Sequence, residues 1–240
     1  LTFLAVIPLT LYFFTKAKTK DIVITLVPSL IAAFIYITIR TNVIGYLLDS
    51  GKKIDDLMND PFLGMTGGEK FATIMYTLGE YIRLLIFPHP LTHDYYPYHV
   101  PIMNFGKPGT LISLALYLAM AYFFFKGWKS KSIYSWAIGF FIATLSIVSN
   151  FVFPVGTFMN ERFIFISSIA FSLVCAYVFV KYGWASEKPA IKWGSLVLLI
   201  GLLGGYAFKT YVRVPAWKDA LSLNSQAVMV SENSTRANCF

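Results

Sequence analysis

Two short runs hold side chains whose types and spacing could do chemistry. The first is His93-Asp94-Tyr95-Tyr96, inside LTHDYYPYHVPI and flanked by Pro88, Pro90, Pro97 and Pro101. Proline fixes φ and pushes the residue before it toward extended conformations, so such a run is stiff and holds its side chains in place. A carboxylate accepts hydrogen bonds from hydroxyls and aromatic faces cover the apolar side of a sugar ring, so the pattern fits saccharide recognition. Tyrosine also gathers at membrane–water interfaces without binding anything, and that reading fits the same residues. The second run is Asn160-Glu161-Arg162, in PVGTFMNER between two apolar stretches. Arginine grips phosphate through two parallel hydrogen bonds, and ionisable residues at a membrane boundary raise a functional hypothesis. A Glu161–Arg162 surface pair is the plain alternative. Arg40, at the end of the apolar run 22–39, is a further candidate for an anionic lipid headgroup, or a snorkelling anchor. Arg83 is another such candidate, or else the partner of Glu80, which shares its helical face.

These residues sit in a chain built for lipid. Of its 240 residues 57% are hydrophobic, 18% aromatic and only 13% charged, and the mean hydropathy is +0.63. Soluble domains carry about 25% charged residues. The formal charge of +8 would suit nucleic acid, but the basic residues lie in short clusters between apolar runs, which is how membrane proteins hold their orientation. Nucleic-acid binding is therefore excluded. The opening LTFLAVIPLTLYFF has no initiator Met and no cationic leader, so it reads as the interior of a helix and not as a signal peptide. Cys175 and Cys239 form no disulfide framework or metal-ligand spacing. No nucleophile elbow, phosphate-binding glycine loop or charge buried mid-helix stands out, which argues against a self-contained hydrolase or an ion pump.

Six apolar runs qualify or nearly qualify as membrane spans of about 20 residues: 1–14, 22–39, 110–125, 133–153, 163–182 and 194–212. Three connections, 15–21, 126–132 and 181–193, hold nine lysines against Asp21 and Glu187. The positive-inside rule puts all three in the cytoplasm. Residues 1–39 are then two transmembrane helices, 40–109 an extracytoplasmic segment, 110–212 four transmembrane helices and 213–240 extracytoplasmic again. All three histidines, His89, His93 and His99, fall in the first extracytoplasmic segment. The run 71–87 carries Glu80 and Arg83 and ends at Pro88. If it crossed, the lysines of 126–132 would lie outside, so it is expected to lie along or dip into the outer interface. Upstream, Asp55, Asp56 and Asp60 with Lys52 and Lys53 read as a solvated surface on a short interfacial helix, broken at Asp60-Pro61 and at Gly67-Gly68. In 213–240, Trp217, Leu221, Leu223, Ala227 and Val228 have helical spacing before a break at Ser231, Asn233 and Ser234. Asn233-Ser234-Thr235 matches an N-glycosylation acceptor, a common pattern.

Taken in order, these pieces resemble the multi-pass O-mannosyltransferases with a C-terminal tetratricopeptide (TPR) array, which include cadherin-targeting enzymes, and their bacterial relatives. The matching pieces are Arg40 through Gly45, Asn59-Asp60-Pro61, the helix ending at Pro88, and Leu91-Thr92-His93-Asp94-Tyr95 with Val100-Pro101-Ile102. Pro154-Val155-Gly156 through Glu161-Arg162 follows, and then Arg213 to Trp217 entering a first TPR helix. The resemblance implies an all-α integral membrane protein, a type-C glycosyltransferase-like multi-pass helical bundle with extracytoplasmic interfacial helices and the start of a TPR solenoid. It implies a polyprenyl-phosphate-linked sugar as donor, with a divalent metal compatible, and a protein acceptor reached through the TPRs. Arg162, with Arg40 or Arg83, would hold the lipid phosphate; His93, Asp94, Tyr95, Tyr96 and Glu161 would shape the sugar or acceptor side. The family's catalytic acid is expected upstream of residue 1. The Tyr98-His99 pair departs from the animal enzymes, which leaves sugar and acceptor open. The competing class is a non-catalytic membrane scaffold whose TPRs recruit envelope proteins, and a transporter is a third. Composition leans toward a bacterial inner membrane over the endoplasmic reticulum.

Overall fold

The computed structural model describes residues 1–45, 60–93, 95, 99–151, 155–232, 234 and 238. The elements among them are helical: α1 (Phe3–Phe14), α2 (Thr19–Ile44), α3 (Gly67–Ile86), α4 (Pro108–Trp128), α5 (Ile133–Ser146), α6 (Ser168–Val178), α7 (Pro189–Arg213) and α8 (Ala220–Val230). A π turn, Phe179–Trp184, extends α6, and 3₁₀ turns lie at Glu161–Ile164 and Val214–Trp217. Among the described residues three helices are long and apolar enough to cross a membrane: α2, α4, and α7 with the turn after it, Pro189–Trp217. Neither α2 nor α7 buries a residue within the protein, and Phe34 and Val197 remain 71% and 70% exposed. In water each exposed apolar square ångström costs about 25 cal/mol; in hydrocarbon it costs nothing. This is an all-α membrane fold whose longest helices face lipid.

The sequence expects six spans, whereas α1, α5, and α6 with its π turn are apolar but shorter. At 14 residues α5 rises about 21 Å, short of the roughly 30 Å of hydrocarbon. It stops at Ser146, where the apolar run continues to 153, because Asn150 leaves the helical region with φ 60°. Asparagine tolerates that conformation and bonds backbone in place of a helix ladder. Its Nδ2 donates to the carbonyls of Thr157 (2.7 Å) and Phe158 (3.1 Å), and its Oδ1 accepts from Val155 N (2.8 Å). That folds the following loop inward and buries Phe158 and Met159.

The lysine clusters converge at one end of the bundle. Lys131 Nζ donates to the Thr15 carbonyl at 3.0 Å and sits over the Tyr12 ring. Tyr134, at the start of α5, meets Tyr177 edge-on at 5.6 Å, and Lys181 lies over the Tyr177 and Tyr182 rings.

At the other end α3 begins with a reciprocal cap: Thr66 Oγ1 accepts from Glu69 N, and Glu69 Oε2 accepts from Thr66 N at 2.9 Å. From the sequence this helix is expected to lie along or dip into the outer interface. It packs into the bundle, with eight buried positions from Ala72 to Leu84. Small residues allow the approach: a Cβ on Gly79 would run into the Ser113 side chain of α4. The two helices run in the same direction, since Thr110 Oγ1 donates to the Ala72 carbonyl and Tyr117 OH to the Leu78 carbonyl. Ile82 and Leu85 line one apolar cavity with Leu116 and Met120, which leaves α3 about 12 Å short of the lysine end of α4. The chain then turns at Phe87–Pro88 and comes back beside α3, where Met103 N donates to Thr73 Oγ1 at 3.0 Å.

Candidate functional site

That returning segment brings the two chemical runs of the sequence together. Glu161 opens its 3₁₀ turn next to the cap residue Asn160, whose Oδ1 accepts from both Arg162 N (3.0 Å) and Arg162 Nε (3.1 Å). Asn160 is itself fixed from two directions. Its N–H donates to the buried Tyr81 hydroxyl of α3 at 3.0 Å, and its Nδ2 to the His93 carbonyl at 3.1 Å. Glu161 Oε1 accepts from Thr92 N at 2.6 Å and from Tyr95 OH at 2.9 Å. The contact joins residues 66 to 69 positions apart, which no local pattern encodes.

The Glu161 carboxyl is held above its ordinary value because burial disfavours the charge. The Tyr95 and Thr92 hydrogen bonds, then the charges of Arg213 and Lys209, pull it partly back down. Burial and the neighbouring carboxylate raise the Tyr95 phenol, which therefore stays a hydrogen-bond donor. Both bonds land on Oε1, so among the described residues Oε2 is the atom available to a ligand hydroxyl.

Two cations near Glu161 come from α7. Lys209 Nζ lies 3.0 Å from His89 Nδ1; an ammonium only donates, so Nδ1 accepts and the ring proton sits on Nε2. Arg213 Nη1 donates to Gln226 Oε1 at 3.0 Å, while its Nε and Nη2 are buried and have no partner among the described residues. The last described stretch docks here as well, with Ser231 Oγ 2.9 Å from His99 Nδ1 and the His99 ring edge-on to Tyr95.

Of the residues singled out from sequence, Glu161, Arg162, Tyr95 and the His93 backbone converge on this site. Asp94 and Tyr96 lie outside the described residues, as does the segment with Asp55 and Asp56. Arg83 stands at the edge of the site, where its charge partly offsets the rise of the Tyr95 phenol. Its Nε donates to Glu80 Oε2 at 2.6 Å and its Nη1 to the His89 carbonyl at 2.6 Å, so it braces the turn after α3. Arg40 is exposed and bonds Tyr36 one turn earlier on α2, a helix packed on α1. Sequence reasoning missed Lys209, Arg213, Tyr81 and His89. A signal for the first two was present: Lys209 is a lone charge in the run 194–212, one helical turn before Arg213 and on the same face. Among the described residues no three His, Cys, Asp or Glu side chains gather where they could hold one metal ion.

No family model matches the chain, and no solved structure matches it. The chain is similar to the protein O-mannosyl-transferase Tmtc3 of Drosophila melanogaster, at 24% identity over 199 residues, which are 80% of this chain and 21% of that protein. It thus spans about a fifth of the length of that relative.

Proposed function

We propose that the chain forms part of a membrane glycosyltransferase of the O-mannosyltransferase kind, which moves a sugar from a polyprenyl-phosphate carrier to a protein hydroxyl at the exoplasmic face. The observation that carries this is the Glu161 carboxylate, half-buried against the buried Tyr95 and within electrostatic reach of Lys209 and Arg213, at the end of the bundle away from the lysine clusters. Sugar transfer from a phosphate carrier needs acceptors for hydroxyl hydrogens beside cations that oppose the charge growing on the departing phosphate. Glu161 Oε2 supplies the first, and Arg162, Lys209 and Arg213 are placed for the second. The distant similarity to Tmtc3 points to the same chemistry. The TPR surface would present the acceptor, and in a bacterial inner membrane the site would face the periplasm.

The test is transfer of mannose from a polyprenyl-phosphate donor to peptide by the full-length protein in detergent. Turnover is expected in the wild type, with a drop of about tenfold or more in Arg162→Ala. Absence of transfer to any peptide would sink the proposal, and unchanged turnover in Arg162→Ala would remove that residue from it. The orientation is tested separately. In a background with Cys175 and Cys239 both replaced by serine, Ile102→Cys is expected to react with a membrane-impermeant maleimide from the exoplasmic side and Ser130→Cys only after permeabilisation. Both positions are exposed, so the reverse labelling would overturn the topology.

A further inference from the structure

We infer that the end of the bundle opposite Glu161 carries a binding site for an anionic diacyl phospholipid, between the last turn of α4 and the first turn of α5. A cavity of about 560 Å³ opens there, lined by Phe123 and Lys126 of α4, Ser130 and Ser132 of the turn, and Tyr134 and Ile138 of α5. The volume falls within the range of ligand-binding pockets, about 300–1,000 Å³. Its lining combines an ammonium and hydroxyls with the apolar side chains of Phe123 and Ile138, which suits a headgroup with a chain beside it.

The hairpin that forms the cavity is tightly held. A Cβ on Gly127 would run into the Ser135 side chain and stand 2.9 Å from Ser132 Cβ, so glycine lets α5 start against α4. Ser135 Oγ donates to the Phe123 carbonyl at 3.1 Å, and Ser130 Oγ to the Gly127 carbonyl at 3.1 Å. Ser132 Oγ accepts from Tyr134 N at 3.3 Å, and its own proton has no acceptor among the described residues. Lys131, with φ 51°, is spent on the Thr15 carbonyl and the Tyr12 ring.

The charge at this end asks for an anion. The nine lysines of the three connections stand against Asp21 and Glu187, and among the described residues the one ion pair is Arg83–Glu80, within α3. Lys126 Nζ sits 5.5 Å from the centre of the Tyr122 ring. It gives no hydrogen bond among the described residues, so its three donors are open to a phosphate. A lysine at a helix end would by itself serve the helix dipole and the orientation of the chain. The cavity and the hydroxyls beside Lys126 add what a phosphodiester needs, and basic pockets between membrane helices on the cytoplasmic side take anionic headgroups. The exposed Phe123 and half-buried Ile138 then lie against the first carbons of a chain. This site goes beyond the transferase reading and does not depend on it.

Native mass spectrometry of the full-length protein in detergent tests it, with dioleoylphosphatidylglycerol, dioleoylphosphatidylcholine and inorganic phosphate as probes. One phosphatidylglycerol per protein is expected, bound about tenfold or more tighter than either other probe. Lys126→Gln should weaken it about tenfold, while Lys126→Arg retains it. Lys20→Gln and Lys188→Gln remove the same charge from the same end without lining the cavity, and each should change the affinity by less than about twofold. With the native cysteines replaced by serine, saturating phosphatidylglycerol should slow maleimide labelling of Ser130→Cys and leave that of Ile102→Cys unchanged. Undiminished binding in Lys126→Gln, or equal losses in Lys20→Gln and Lys188→Gln, would overturn the site. So would equal affinity for phosphatidylcholine, which removes the role of the charge, or for inorganic phosphate, which removes the role of the chain. Labelling of Ser130→Cys that the bound lipid does not slow would put the lipid elsewhere and overturn the site as well. None of these measurements involves sugar transfer, so the site and the transferase reading stand or fall separately.

Discussion

Replacing Glu161 with alanine is expected to cost both transfer and stability, whereas glutamine costs transfer alone. Alanine takes away the acceptor of the Tyr95 hydroxyl, which is 3% exposed with its ring against His99. A buried donor left without an acceptor costs about 1–3 kcal/mol. Glutamine keeps an oxygen for Tyr95 and Thr92 and removes only the charge. Burial holds the Glu161 carboxyl above its ordinary value, so the folded protein binds its proton more tightly than the unfolded chain does. Stability from this group therefore falls as pH rises from the ordinary carboxylate value, 4.5, through the raised folded value. Glu161→Gln should flatten that slope and match or exceed the wild type at neutral pH. Thermal midpoints of the three proteins across pH 4 to 8 decide it; a wild type that gains stability relative to Glu161→Gln with rising pH would contradict the burial argument. Both variants lose the charge that accepts a ligand hydroxyl, and turnover should drop about tenfold to a hundredfold in each.

The second large effect is structural. Gly79→Ala should destabilise the protein by about 1–3 kcal/mol, the usual range for overpacking. Helix propensity argues the other way, since alanine is better than glycine inside a helix by about 1 kcal/mol. The contact decides: the added Cβ falls into the Ser113 side chain, with Ser113 Cβ at 2.9 Å. Only the Ser113 Cα, at 3.6 Å, stands at ordinary contact distance. Ser113→Gly should therefore be mildly destabilising alone and should rescue Gly79→Ala. Unfolding by SDS in mixed micelles gives both values and their coupling. A stabilised Gly79→Ala would mean that α3 and α4 do not meet at this level. Because α3 also carries Tyr81 to Asn160, loss of this contact should loosen the Glu161 turn and lower transfer as well.

Much of the frame is legible in the chain because its signals are local or additive. Apolar runs flanked by lysine clusters require membrane helices whatever their neighbours are. The break after Ile86 follows from Pro88, and the start of α3 is written in Thr66-Gly67-Gly68-Glu69, a capping signal that also reads as a loop. The burial of α3 was not legible. Its charged pair, Glu80 and Arg83, marks it as peripheral by composition, yet Arg83 spends its guanidinium on Glu80 and on the returning chain. The remaining face is small and apolar enough to enter the bundle. The end of α5 was hidden in the same way, because a single asparagine with a left-handed backbone outweighs an apolar run.

Residue order and composition suffice to read a helical membrane protein, the end of the bundle that carries the lysines, and Tyr95, Glu161 and Arg162 as candidates for chemistry. Which candidates meet follows from the packing of the helices. Glu161 bonds Tyr95 and Thr92 because the segment after α3 turns back along it, and the cations facing Glu161 come from the end of α7 and not from Arg40 or Arg83. Helix formation and membrane burial are set by neighbours in the chain and by solvent. A contact across 66 residues is set by how the helices pack, and no spacing in the sequence carries that information.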